Sequence, residues 1–170
     1  MLVKRAKSFI VCLGIAMFLI GTIRAVVSAA DQKAKIPTEP IKIGFVVPLS
    51  GVAATLSPNA GINAELAVEY MNKYEKGILG RPIKAIIYDE KNAQNAVEVF
   101  GKLAENDKVE AILGCLSSST GLAVAPKVET KWKIPTLLLE STTMALFTKV
   151  IPNPTYVYRI GPDYIMQSSP

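Results

Sequence analysis

Five short runs of apolar, mostly β-branched residues recur along the chain, and the stretches between them place apolar residues three and four apart. The runs are IKIGFVV (41–47), PIKAIIYD (82–89), VEAILG (109–114), IPTLLL (134–139) and YVYRI (156–160). Side chains alternate between the two faces of a strand, so a run that is apolar at nearly every position expects both faces to be buried. Between the first two runs, Ala60, Ala64, Ala67, Met71 and Tyr74 trace one face of a helix, which Gly77 and Gly80 close. Ala93, Ala96, Val97, Phe100, Leu103 and Ala104 outline a second helix. Asn92 stands at its cap, and Lys91, Gln94, Glu98 and Lys102 on its wet side. A third follows the hydroxyl-rich stretch GCLSSST, with Val124, Val128 and Trp132 on one face and Pro126 near its first turns, where a missing donor costs least. The expected fold class is α/β, a parallel sheet with helices on both faces. Right-handed crossovers then gather the loops after the strands along one edge, where ligands of open α/β sheets bind.

The chain's start has a different character. Lys4, Arg5 and Lys7 precede an apolar core from Phe9 to Ile23, and Ser28-Ala29-Ala30 offers small residues for cleavage before Asp31. Residues 1–30 therefore read as a secretory signal peptide, its apolar run too short for a spanning helix. Val11 before Cys12, where a lipoprotein signal has a small residue, argues against lipidation. Residues 31–40 form a polar, proline-bounded segment that leads into the domain. The full chain has 19 basic and 14 acidic side chains, but four of the basic ones, Lys4, Arg5, Lys7 and Arg24, lie in the signal. The mature part is thus nearly neutral, and its charge gives no support for a nucleic-acid partner. Cys115 is the single cysteine left after cleavage, so no disulfide can close within it.

Several chemistries are excluded by what is missing. There is no histidine, which removes Ser-His-Asp and Cys-His mechanisms and histidine zinc sites. GCLSSSTG lacks the G-x-S-x-G spacing of a nucleophile elbow. The first run passes into VVPLSGVAATLSPNAG rather than the G-x-G-x-x-G of a dinucleotide fold. No catalytic residue, metal site or cofactor is expected. Asp89 and Glu90 after the second run read as a solvated turn and part of a helix start, and Cys115 as a small buried hydrophobe. The hydroxyls of Ser117 to Thr120 can cap the third helix, or, with free backbone donors at the helix start, hold an anion.

Four stretches in order carry a family resemblance: IKIGFVVPLSG, KGILGRPIKAIIYDEKNAQNAV, VEAILGCLSSSTGLAVAP, and IPTLLLESTTMALFT followed by NPTYVYRIGP. Through them the chain resembles the branched-chain amino acid (Leu/Ile/Val) substrate-binding proteins of ABC transporters, the type I periplasmic-binding-protein family. The resemblance implies a two-lobed clamp that closes on a small solute, such as an amino acid, in the periplasm and delivers it to an inner-membrane ABC permease. It divides the chain into a partial first lobe (41–160) and a hinge crossover with the start of a second lobe (161–170). It also implies that the ligand carboxylate is held by Ser117 after the third strand and by backbone and Thr142 after the fourth, with Ser118 beside the first and Ser141 and Glu140 beside the second as further ligand-binding residues. Ser50 and Leu56 line the first loop. Two departures bear on the ligand. Glu140 replaces a small residue and would repel a carboxylate unless it turns away or meets an amine, and Leu56 stands where an aromatic ring is common. Two other readings stay open: a sensory domain of the same fold, and a secreted α/β enzyme whose catalytic residues lie beyond residue 170.

Overall fold

A computed structural model describes residues 37–163 and Met166. The expected signal peptide at 1–30, most of 31–40 and most of 161–170 lie outside the described residues. Each apolar run forms a strand: β1 (Ile41–Val47), β2 (Ile83–Asp89), β3 (Ala111–Gly114), β4 (Thr136–Leu138) and β5 (Val157–Arg159). They build one sheet in the order β2-β1-β3-β4-β5, every neighbouring pair parallel. The register sets Phe45 beside Leu113, Leu113 beside Leu137 and Leu137 beside Tyr158.

Among the described residues four α-helices accompany the strands: α1 (Gly51–Leu56), α2 (Ala60–Tyr74), α3 (Ala93–Lys102) and α4 (Ser118–Lys127). The last two run on into π-helical turns, Leu103–Asp107 and Val128–Trp132. Alternation along β1 shows how the faces divide. Gly44 faces Leu103, whose Cδ1 would stand 2.7 Å from a β-carbon there, so only a glycine lets that side chain lie flat on the strand. Its neighbour Phe45 points the opposite way and shares a cavity wall with Ala60 and Ala64 of α2. Helices α3 and α4 thus cover one face and α2 covers part of the other. Beneath α3 and α4 sits the main core, in which Val46, Phe100, Ile112, Val124, Leu138 and Val157 are fully buried. Asn92 caps α3 as expected, its side-chain oxygen accepting the Asn95 N–H at 2.9 Å.

The structure corrects four local expectations. Helix α1 occupies what reads as the first loop, because GVAATL is too short and too uniformly apolar to show a period. On α2, Ala67 and Tyr74 face solvent, while Asn72 turns inward and bonds both the N–H and the carbonyl of Ile83. The helix lies over the sheet's β2 border, so a polar side chain there can satisfy edge backbone groups. Pro126 falls in the last turn of α4 rather than near its first, since the Ser117 cap fixes an earlier start. Glu90, read as a solvated turn residue, is buried. Among the described residues no helix is long and apolar enough to cross a membrane.

Candidate functional site

Between β1 and β3 the strand order reverses, since the chain leaves β1 toward β2 on one side and enters β3 on the other. Loops that depart from the carboxyl ends of two such strands diverge and leave a crevice between them. Here the loop after β1 brings Pro48, Leu49 and Ser50, and the loop after β3 brings Cys115 to Ser117 and the start of α4. The next loop, after β4, brings Glu140 to Thr143 to the same edge, tied down where the Glu140 N–H meets the Cys115 carbonyl at 3.3 Å.

Ser117 is the N-cap of α4. Its Oγ accepts the Thr120 N–H at 3.2 Å and shares hydrogen bonds with the Thr120 hydroxyl at 2.7 Å and the Ser119 hydroxyl at 3.1 Å. Thr120 is fully buried, Ser118 half-buried and Ser119 exposed. Capping therefore accounts for Ser117 and Thr120, and leaves Ser118 and Ser119 unexplained by it. The buried Glu90 carboxylate accepts the N–H groups of Leu116 at 2.7 Å and Ser117 at 3.1 Å. Among the described residues, no acceptor meets the amides of Ser118 and Ser119, the first two donors of the helix. Sequence reasoning missed Glu90, whose only signal is an acid directly after a strand.

Three more side chains hold this edge in shape. Asp89 accepts from the amides of Leu49 (2.9 Å), Ser50 and Lys91 (3.3 Å each) and from the Ser50 hydroxyl. Burial raises its carboxyl, but the Ser50 hydroxyl and the amides outweigh that and hold it below its ordinary range. Ser50 is thus engaged with Asp89, and Leu56 projects from α1 with 76% exposure. Arg159 in β5 donates to the carbonyls of Ser141 and Thr143, both at 3.3 Å, and bonds Asp163 at 3.4 Å. An arginine within an apolar strand is the signal that could have found it. Ser141 is fully buried, its hydroxyl meets no hydrogen-bond partner among the described residues, and it packs against Gly121, where a β-carbon would stand 2.3 Å from its Oγ. Thr142 is half-buried and Glu140 exposed. Burial, then the nearby Glu90 charge, pushes the Cys115 thiol far up, so it stays protonated.

Beside these loops, on the α2 side, a cavity of about 360 Å³ is walled by Phe45, Val47, Leu113, Leu116 and Leu139, with Ser57, Asn63 and Glu140 as its polar groups. A wider groove of about 690 Å³ between α2 and β2 holds none of the hydroxyl residues. The edge thus joins hydroxyls and free amides, suited to a small anion, to an apolar hollow suited to a hydrocarbon body.

Comparison with known proteins fits this geometry. The family described as periplasmic binding protein matches residues 40–170. No match was found among curated proteins. Among solved structures, the branched-chain amino acid transporter substrate binding protein LivJ from Streptococcus pneumoniae, in complex with isoleucine, is 26% identical with a TM-score of 0.64, over 73% of this chain and 34% of that one. A solute binding protein of an ABC transporter from Rhodopseudomonas palustris BisB5, in complex with 3,4-dihydroxy benzoic acid, is 25% identical with a TM-score of 0.60, over 75% and 33%. An ABC transporter substrate-binding protein from Sphaerobacter thermophilus is 25% identical with a TM-score of 0.59, over 72% and 32%. The chain spans about a third of the length of these structures. With the match running through all five strands and both hydroxyl-bearing loops, the chain belongs to the periplasmic binding protein family.

Proposed function

We propose that this chain forms the first lobe of an extracytoplasmic solute-binding protein that captures a small carboxylate-bearing solute, an amino acid or an aromatic acid, for delivery to an inner-membrane ABC permease. The observation that carries the reading is the convergence of two hydroxyl-bearing loops on the carboxyl edge of β3 and β4, with the amides of Ser118 and Ser119 uncommitted. A carboxylate there receives hydrogen bonds from Ser117, Ser118 and Thr142 and favourable alignment with the start of α4, without a full counter-charge. Ser141 sets the position of the loop through its contact with Gly121, Ser50 braces the first loop through Asp89, and Leu56 ends α1 with its side chain exposed. Isoleucine and 3,4-dihydroxybenzoic acid, bound by the two relatives, share a carboxylate and differ in the rest. Periplasmic location rests on the family and on the leader read in residues 1–30. A sensory domain of the same fold would use the same site; hinge closure on ligand is common to both.

Glu140 is the residue that separates ligand classes. Its backbone is pinned to Cys115 while its side chain reaches the open edge. There it suits an ammonium group and opposes a second anion. Calorimetric titration of the whole protein with isoleucine, leucine and 3,4-dihydroxybenzoate, each beside its carboxamide, tests the reading. Binding of at least one acid, with the carboxamide weaker by about 10-fold or more, is expected from the loss of charge-assisted bonds. Equal binding of acid and amide would sink it, as would turnover of the ligand. Glu140→Ala weakens amine-bearing ligands and spares benzoates.

A further inference from the structure

The outer face of α2 leaves a row of large apolar side chains in solvent. Ile62, Leu66, Tyr70 and Tyr74 stand four residues apart and are 57%, 56%, 56% and 61% exposed. The Tyr70 and Tyr74 rings lie 4.9 Å apart, with the Lys73 ammonium 5.2 Å from the Tyr74 ring centre. The helix's opposite side meets the sheet through Ala64 and Asn72, so this row belongs to the molecular surface and not to the ligand edge. Single exposed apolar residues are ordinary; four in one helical row form a patch of the kind that marks an interaction surface. Beside the row runs a second one at the same spacing, Glu65, Glu69 and Lys73, acidic at its first end and basic at its last.

We propose that this face of α2 pairs with the same face of a second copy of the chain, the two helices antiparallel about a two-fold axis beside residues 66–70. Rows of residues spaced four apart interdigitate with identical rows, the commonest helix-packing class. Reversal about the axis sets Leu66 against Tyr70 of the other copy and Ile62 against its Tyr74. The same reversal brings Glu65 of each copy to the Lys73 of the other, twice over, so the surface is self-complementary in charge as well as in shape. A parallel arrangement would set like charges together. Glu69 lies nearest the axis and faces the Glu69 of the other copy, and the two lysines flank this pair of like charges. With side chains of this size burying up to about 150–250 Å² each when fully covered, the half-exposed row supplies roughly 400 Å² per copy, less than the roughly 500 Å² per partner that a stable interface clears and in the range of weak, transient ones. The dimer is therefore reversible, and it does not depend on the ligand reading.

Sedimentation equilibrium of the whole natural chain from about 1 µM to about 1 mM, the range in which so small an interface dissociates, tests this. A reversible monomer–dimer equilibrium is expected. Leu66→Glu shifts it to monomer at every concentration with an unchanged thermal midpoint. Glu65→Lys weakens the dimer about 3- to 10-fold, and adding Lys73→Glu restores it, as expected for two exposed ion pairs. Glu69→Cys gives a disulfide-linked dimer on mild oxidation, a readout that the native Cys115, fully buried, does not disturb. A chain that stays monomeric to about 1 mM overturns the proposal. So does association untouched by Leu66→Glu, or a Glu69→Cys thiol that neither cross-links nor reacts with a thiol reagent, which would mean that another segment of the same chain covers the row.

Discussion

The Ser117 hydroxyl holds the start of α4 and stands at the proposed carboxylate site, so removing it acts on stability and on binding together. Ser117→Ala should cost about 1 kcal/mol in urea denaturation, the usual worth of an N-cap. Ser117→Asp separates the two roles: the carboxylate caps as well as serine does, but it repels an anionic ligand. Near-native stability with lost binding is expected, and retained binding would confine Ser117 to capping. Glu90 matters differently, because it closes two backbone donors inside the fold. Glu90→Ala leaves both unpaired, a loss of about 2–4 kcal/mol at the usual cost of an unsatisfied buried group, read from the urea midpoint. The hydroxyl cluster was legible in the sequence because four such side chains in a row exceed what one cap needs. Glu90 was not, because an acid after a strand looks the same whether it meets water or a helix start 26 residues away.

Helix α4 is positioned at both ends by contacts the sequence does not announce. At its start, Gly121 lets the helix lie against Ser141, since a β-carbon would come within 2.9 Å of the Ser141 Cβ as well as 2.3 Å of its Oγ. Gly121→Ala should therefore destabilise by about 1–3 kcal/mol through overpacking and displace the loop that carries Thr142, and Ser141→Gly should recover part of the loss. Past its end, Glu129 accepts the N–H groups of Thr155, Tyr156 and Val157 at 2.8–3.0 Å and so anchors the start of β5. Burial opposes its charge, but the three amides prevail and keep the carboxyl below its ordinary range. A folded value below the unfolded one means that this contribution is complete above the unfolded pKa of about 4.3 and lost as pH falls through the folded value. Urea midpoints taken between about pH 7 and pH 3, a window spanning that carboxylate range, should fall below about pH 4.5. In Glu129→Gln they should start lower and fall less. A mutant as acid-sensitive as the native chain would place the titration elsewhere, Asp89 first. Strand positions and the three longer helices were legible because their apolar periods are strong. The inward face of α2 was not, since Asn72 enters only to meet the backbone of β2.

Across the whole molecule the crevice is one-sided. The loops that carry Ser117, Ser118, Thr142 and Glu140 all lie at the carboxyl edge of a single sheet, and the chain covers only 34% of the isoleucine-bound relative and 33% of the dihydroxybenzoate-bound one. The α/β class and the parallel sense of the strands were legible because crossover handedness leaves few ways to connect such runs. How a ligand is enclosed is not legible, because enclosure needs a second surface. A solute resting on one wall keeps most of its apolar body in water and gains only a few hydrogen bonds, each worth about 1–2 kcal/mol net. Set against the several kcal/mol of lost translational and rotational freedom, that leaves residues 31–170 alone with a dissociation constant weaker than about 1 mM. Titration of that segment with isoleucine and with 3,4-dihydroxybenzoate, beside the same titration of the whole protein, measures the difference. Weak or no binding by the segment and tight binding by the whole would assign most of the affinity to clamp closure. Micromolar binding by the segment would instead mean that the hydroxyl loops and the apolar hollow beside them already make a complete site, and closure would then serve recognition by a partner rather than capture.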